Sequence, residues 1–152
     1  MNRRYSKRKY ARASSGQSMV EFAVAVGVLT LLLVVVADFA RVFYESVGLQ
    51  NAARAGAQYG SQSVITAADV NGMEAAATLD GANVASLTPT ASQCTCQSGS
   101  SVASCPSSYC SANPTATFVE VDTSAPFKTI VNYPGVPSSL TLSGKAVMQV
   151  EQ

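Results

Sequence analysis

The sequence predicts an α+β protein in which a long N-terminal helix precedes a short second helix and a small antiparallel β-sheet. Three observations support this fold. An uncharged apolar run extends from Phe22 to Ala37. Helix-compatible sequence without proline continues from Ala37 to Gly60. The alternation of β-branched and polar residues that is typical of strands becomes strong only beyond residue 115.

The first half of the long helix has the length and composition of a membrane span. We expect the whole helix to run from near Ser18 to near Gly60. The part from Met19 to Ala37 would be about 28 Å long at 1.5 Å per residue, which is close to the thickness of a bilayer's hydrocarbon core. A secretory signal ends in a cleavage site of small residues, and no such site follows the apolar run. The helical pattern instead continues beyond Ala37.

The second half of the long helix is amphipathic. Asp38 and Arg41 are three residues apart and Arg41 and Glu45 are four apart, so both pairs are expected to form ion pairs on one helix face. An apolar stripe comprises Phe39, Val42, Phe43 and Leu49. Small residues recur every fourth position at Gly48, Ala52, Gly56 and Gly60. This spacing either reflects an Ala/Gly-rich composition or predicts a helix-packing groove used in assembly.

Beyond residue 60 the sequence predicts one short helix and several strands. Thr66-Ala-Ala-Asp69 fits a helix start, and we expect this helix from about residue 67 to residue 79 with Gly81 after its end. The predicted strands are residues 84–88, with an extension to Cys94 left open, 116–122 and 140–150, where Gly144 indicates a bulge. Residues 126–131 are predicted as an edge strand or an extended crossing, 97–114 as a long polar loop and 133–137 as a turn.

The predicted sheet packs against the distal half of the long helix. About ninety residues can bury only a modest core, so covalent cross-links would add stability. The residues expected to form this core are Phe118, Val119, Val121, Phe127, Ile130 and Met148.

The charge is distributed unevenly along the 152 residues. The formal net charge is +1, but residues 1–16 contain six basic and no acidic side chains, and the remaining residues have a net charge of −5. A basic head, an apolar run and a weakly acidic body are typical of an exported or membrane-inserted chain, because basic segments stay in the cytoplasm. This explanation is preferred to a nucleic-acid-binding arm, so no nucleic-acid partner is expected.

The composition argues against most catalytic sites. The chain contains no histidine, which excludes Ser-His-Asp and Cys-His catalysis and every histidine-based metal site. Glu120 and Asp122 lie two residues apart on a predicted strand and could form a carboxylate pair, but a solvated face is the simpler interpretation. We therefore expect no enzymatic activity, no cofactor and no small-molecule substrate.

The four cysteines lie in or next to the polar loop, with the spacing C-x-C-x8-C-x4-C. Zinc sites usually contain C-x2-C pairs, whereas an even number of cysteines in an exported loop favours disulfides. We expect two disulfides and no metal. A bridge between neighbouring Cys94 and Cys96 would be strained. The nested pairing, Cys94–Cys110 with Cys96–Cys105, is slightly preferred, although the sequence does not exclude the crossed one.

Three segments of the long helix together resemble a known family. They are G-Q-S-M-V-E-F, D-F-A-R-V-F-Y and L-Q-N-A-A-R-A-G-A-Q-Y-G, which surround and follow the apolar run. This sequence is similar to TadE-like minor pilins, or pseudopilins, of the tight-adherence (Flp) type IV pilus system. The resemblance is close over residues 16–60 and weaker from Tyr133-Pro134 through the closing strand.

The resemblance implies a role for each residue of the first segment. A membrane prepilin peptidase would cut between Gly16 and Gln17, so that Glu21 becomes the fifth mature residue and Phe22 the sixth. The Glu21 carboxylate would then pair with the new α-amino group of a neighbouring subunit. A lone carboxylate in lipid is costly, and an ammonium partner offsets much of that cost. Without such a partner, Glu21 would be a solvated carboxylate at headgroup level.

These expectations define three segments: a leader over residues 1–16, a membrane and assembly helix over 17–60, and a disulfide-containing head over 61–152. The resemblance implies an inner-membrane protein with a cytoplasmic N-terminus and a periplasmic C-terminal domain. Its partners would be the peptidase and other pilins, and its role would be pilus assembly or priming, and through it adhesion and biofilm formation. The alternative is an uncleaved single-pass protein with a small extracytoplasmic binding domain.

Overall fold

The computed structural model describes residues 15–96, 103–110, 115–131 and 137–151, and it confirms the α+β class. The predicted turn at 133–137 and much of the predicted loop at 97–114 lie outside these residues. The elements in chain order are α1 (Ser15–Ser61), α2 (Val64–Ala68), α3 (Val70–Asp80), β1 (Thr88–Thr95), β2 (Ala103–Ser104), α4 (Ser107–Cys110), β3 (Thr117–Lys128) and β4 (Ser139–Gln149).

Helix α1 is continuous over 47 residues, but it belongs to two compact units. The first unit ends at Ala37 and the second begins at Asp38. The second unit, which we call the head, therefore starts at the first charged residue after the apolar run. This boundary lies well before the expected start of the head at residue 61, because the distal half of α1 carries much of the head's core.

The predicted second helix is divided into α2 and α3. Ser63, rather than Thr66, caps α2: its hydroxyl accepts from the backbone N–H of Thr66, whose own side chain accepts from the Ser63 N–H. Asp69 then caps α3 by accepting from the backbone N–H of Gly72 at 3.0 Å. The predicted start of the second helix, near residue 67, was wrong. Asp69 lies between α2 and α3, and its carboxylate caps α3 by accepting from a free N–H group in its first turn.

The four strands form a mixed sheet in the order β2-β1-β3-β4, and not a purely antiparallel one. Strands β1 and β4 both pair antiparallel to β3, as expected. The two-residue strand β2 pairs parallel to β1, with Cys94 opposite Ala103. A disulfide between Cys94 and Cys105 ties the returning chain to β1 beside this short pairing.

Strand β3 merges two predicted segments, because it continues through Pro126 to Lys128. Its pairing with β1 stops at Ser124, so β3 is an edge strand on that side when it reaches Pro126. A proline can occupy such a position because it removes no ladder hydrogen bond.

The first predicted strand also differs from the prediction. Strand β1 begins at Thr88, and Val84 is instead buried in the turn after α3.

Two buried clusters hold the head together. The first consists of Ala53, Ala57, Ala67, Met73, Ala77, Val119, Val121, Ala146 and Val150. The second consists of Leu49, Val84, Ala125, Phe127 and Leu142. The residues of β3 with odd numbers face α1, so the prediction was right for Val119, Val121 and Phe127. It was wrong for Phe118, on the opposite face and half-buried, and for Ile130, which is exposed; Met148 is half-buried against the first cluster.

Helix α1 lies directly against the sheet at Gly144. A Cβ atom at this position would lie 2.7 Å from the carbonyl oxygen of Leu49. Thr123, opposite Gly144 on β3, donates its hydroxyl to the same oxygen at 2.9 Å. The β3–β4 register is continuous here, so the predicted bulge is wrong. The glycine is required because the helix backbone occupies the space of a side chain.

Candidate processing, assembly and anchoring site

The predicted processing site lies in the first turn of α1. Gly16 and Gln17 are both exposed, and a Cβ atom on Gly16 would meet nothing within 4 Å. The packing of the described residues therefore does not require a glycine at position 16.

Glu21 is an exposed carboxylate at the edge of the apolar run. Its Oε1 accepts a hydrogen bond from the side-chain amide of Gln17 at 3.2 Å, one helical turn away. Phe22, the next residue, is also exposed. A carboxylate so placed can accept a hydrogen bond from a cationic group of another molecule, which is the chemistry that the predicted pairing needs.

The apolar run of α1 has the properties of a membrane span. The helix is long and apolar enough to cross a bilayer. Its most apolar part is not buried by the rest of the protein. Thr30 donates its hydroxyl to the carbonyl oxygen of Val26 at 2.8 Å, so its hydrogen bond is made inside the helix. Backbone and hydroxyl groups satisfied in this way are compatible with lipid.

Asp38, the first charged residue after the apolar run, is buried in the head. Both of its carboxylate oxygens lie 3.1 Å from the backbone nitrogen of Ile130, whose N–H donates to them. Arg41 contributes an ion pair at 3.4 Å and places its guanidinium over the ring of Phe127, 5.1 Å from the centroid. These contacts attach the start of the head's helix to the end of β3.

The structure contains one of the two predicted ion pairs. Asp38 pairs with Arg41, whereas among the described residues Arg41 forms no salt bridge with Glu45. The physical reason is the position of Phe127, whose ring attracts the guanidinium through a cation–π interaction. The sequence could not reveal this contact because Phe127 is distant in the chain.

The four small residues of α1 pack within the chain. A Cβ atom on Gly56 would lie 2.7 Å from the carbonyl oxygen of Met73 in α3, and one on Gly60 would overlap the Met73 side chain. Gly48 faces Val84, and Ala52 is completely buried. At Gly56 and Gly60 the spacing does allow another helix to approach, and that helix is α3, whereas Gly48 packs against the turn after α3. This corrects the interpretation of these positions as a groove for a second subunit.

All four cysteines form disulfides, and none is free. The pairs are Cys94 with Cys105 and Cys96 with Cys110. This is the crossed pairing, so the slight preference for the nested one was wrong. The pairing of β1 with β2 over Cys94–Ala103 and Thr95–Ser104 brings Cys105 beside the end of β1, where its N–H donates to the Thr95 carbonyl oxygen at 3.2 Å. Cys96, one residue beyond β1, is then left to reach α4.

A polar cluster that sequence reasoning only partly identified covers the sheet face opposite α1. Lys145 forms a short ion pair with Glu120 and lies 3.9 Å from Asp122. Tyr109 of α4 donates its hydroxyl to Glu120 at 2.8 Å. The alternation of β3 and β4 could have indicated Lys145 as a neighbour of the two acids. Tyr109 could not have been found, since a loop separates it from the strand.

The pKa values in this cluster shift as expected for mutual stabilisation. The hydrogen bond from Lys145 holds the pKa of Glu120 below its ordinary value, against the effect of burial. The same hydrogen bond raises the pKa of Lys145, and donation to Glu120 raises the pKa of Tyr109. Burial raises the pKa of Asp122. The groups satisfy one another, so the cluster acts as a structural network on a half-exposed face.

Comparison with known proteins supports the role assigned to α1. Residues 16–58 match the family model described as TadE-like protein. The chain carries a TadE-like segment. The TadE-like match begins at Gly16 and ends three residues before the end of α1, so it confirms the resemblance noted in the sequence. No curated protein and no solved structure matches the chain.

The TadE-like match and the apolar helix together indicate the general type of function. The family that matches residues 16–58 consists of pilus-associated, structural proteins, so the match points towards a pilus-associated role. The match also indicates interaction with other pilus components and with a membrane.

Proposed function

We propose that this protein is a minor pilin or pseudopilin of the Tad (Flp) type IV pilus. A prepilin peptidase removes residues 1–16, and the mature chain starts at Gln17. The helix then anchors the subunit in the inner membrane, with the head on the periplasmic side, until the subunit enters or primes a fibre. Through that fibre the protein contributes to adhesion and biofilm formation.

One observation carries this proposal: the TadE-like match starts at Gly16, the residue before the proposed cut. Both Gly16 and Glu21 are exposed on the first turns of α1, and Glu21 is the fifth residue from the cut. Cleavage would create an α-amino group that can pair with the Glu21 carboxylate of another subunit. Processing would therefore supply the cation that a carboxylate in lipid requires.

The mature N-terminus tests the processing step. We expect mass spectrometry of the protein from cells with an active prepilin peptidase to find a chain that starts at Gln17. The variant Gly16→Val should keep residues 1–16, because the peptidase needs a small residue there. Gly27→Val is the matched control, since a Cβ atom at either glycine meets nothing within 4 Å. An uncut wild-type chain would contradict the proposal and favour the single-pass binding protein.

The charge of Glu21 tests the assembly step. Glu21→Gln keeps an acceptor for Gln17 but removes the negative charge, so processing and membrane insertion should persist while piliation is lost. Asp80→Asn serves as the control, because Asp80 is an exposed acid at the end of α3. Normal piliation by the Glu21→Gln variant would refute the pairing mechanism, and equal loss in both variants would show that charge on the chain, rather than Glu21, matters.

A further inference from the structure

We propose that the end of the head next to Asp38 rests on the membrane, with Ile130, Val131 and Leu140 inserted at the lipid interface. We call this end the base. The inference rests on the membrane association of α1 and not on the processing or assembly steps of the proposed function.

The base exposes three large apolar side chains. Ile130 is 60% exposed, and Val131 and Leu140 are exposed beside it in the fold. Ile130 and Val131 follow the end of β3 and Leu140 lies at the start of β4, and the two strands meet there because Lys128 pairs with Ser139. Exposed apolar groups from two chain segments that meet in the fold are a candidate interaction surface, since leaving them in water costs solvation free energy.

The position of the base identifies the occupant as lipid. The Ile130 N–H lies 3.1 Å from the Asp38 carboxylate oxygens, and Asp38 directly follows Ala37, where the uncharged run ends. No linker separates the head from the apolar run, so Ile130 lies close to the residue at which α1 would leave the bilayer. The residues beside Asp38 are therefore the part of the head nearest in the chain to the headgroup and upper acyl region.

The side chains around Asp38 agree with this environment. Of the predicted apolar stripe, Val42 and Leu49 pack in the head, whereas Phe39 and Phe43 are exposed on a different helix face. Aromatic residues are enriched where a membrane span meets water. Lys128 is exposed at the end of β3 and offers a cation to phosphate headgroups.

Tryptophan fluorescence can test the base directly, because the chain contains no tryptophan. Ile130→Trp places a single reporter in the base. Ile65→Trp is the matched control, because Ile65 is an exposed isoleucine of the same head. It lies in α2 after Ser61, which is 23 positions beyond Asp38 along α1, or about 35 Å. Each full-length variant is reconstituted in vesicles of phosphatidylethanolamine and phosphatidylglycerol with or without brominated acyl chains.

We expect brominated lipid to quench Ile130→Trp and to leave Ile65→Trp unchanged, and we expect the emission of Ile130→Trp alone to shift to the blue. Equal, unquenched emission from both variants would overturn the proposal. A blue shift of Ile130→Trp without quenching would also overturn it, because protein rather than lipid would then cover the base.

Two controls keep this test independent of other failures. Val131→Trp is a second reporter if Ile130→Trp does not fold, and intact disulfides in each variant confirm folding of the head. The readout does not depend on the N-terminus, since lipid contact of the base is expected for cut and uncut chains alike. A chain that is uncut but quenched at residue 130 would contradict the processing step and support the base.

Discussion

The two halves of α1 use the same backbone conformation in opposite ways. In residues 16–37 nearly every side chain is exposed, and the large ones are apolar. In residues 38–61 the buried side chains are mostly small, as at Ala52, Ala53 and Ala57. The first half exposes large side chains to its surroundings. The second half has small buried side chains, so that α3 and the sheet can approach its backbone. One helix therefore combines a surface suited to lipid with a surface suited to protein.

Glycine shows this difference most clearly. A Cβ atom on Gly27 would meet nothing within 4 Å, whereas one on Gly56 would meet the Met73 backbone at 2.7 Å. The same residue type is thus replaceable in one half and required in the other. Sequence spacing alone does not distinguish the two cases.

Removing a disulfide should have the largest effect and should be confined to the head. The pair Cys96→Ala with Cys110→Ala opens a bridge between residues 14 apart, which is expected to cost about 3 kcal/mol of unfolding free energy. Chemical denaturation of the full chain in detergent measures this loss. The helical signal of residues 16–37 should survive the head transition, and its loss in the same step would contradict the two-unit description.

Two glycine substitutions compare the halves directly. Gly144→Ala should lower the unfolding free energy of the head by about 2–3 kcal/mol, because the new methyl group would overlap the Leu49 backbone. Gly27→Ala should instead stabilise the helix by up to about 1 kcal/mol. Denaturation monitored by circular dichroism measures both. Equal effects would show that the close approach of α1 to β4 is not maintained in solution.

Asp38 tests the junction between the halves. Asp38→Asn keeps an oxygen acceptor for the Ile130 N–H but loses the ion pair with Arg41, so we expect a loss of about 1–3 kcal/mol in the stability of the head. Asp80→Asn, at an exposed acid, should change stability by less than about 0.5 kcal/mol. Hydrogen exchange at the Ile130 amide should rise in the first variant only. An exchange rate that is unchanged in Asp38→Ala, which removes the acceptor, would contradict the contact.

The polar cluster should give the smallest effect, and one that depends on pH. The lowered pKa of Glu120 means that its contribution is present above the ordinary value of 4.5 and is lost as pH falls through the lowered value. The raised pKa of Lys145 means that its contribution is lost only as pH rises above 10.5. Glu120→Gln should therefore reduce stability by less than about 1 kcal/mol near neutral pH. The difference from wild type should vanish in acid, and a difference that persists there would contradict an ionic cause.

The sequence predicts the fold class well because α1 and β4 carry strong local patterns. The uncharged run and its helical continuation were sufficient to predict α1 within three residues at its start and one at its end. The alternation of Leu140, Leu142, Ala146 and Met148 likewise predicted β4.

The contacts that failed prediction all depend on residues far apart in the chain. Gly144 faces Leu49, Arg41 faces Phe127, and Cys94 bonds to Cys105 beside a two-residue strand. Local patterns contain no information on such pairs. The motif around Gly16 could be recognised by resemblance alone, since its proposed partners are other molecules.

The contacts between α1 and the sheet have a mechanical consequence. They are spread along the helix, from Asp38 with Ile130, through Gln50 with the Lys145 carbonyl oxygen at 2.7 Å, to Ser61, whose carbonyl oxygen accepts from the Glu151 N–H at 3.0 Å. A pull along the axis of α1 would load these contacts together in shear instead of opening them one by one. A subunit held by its helix and pulled by its head would therefore resist tension with its whole interface.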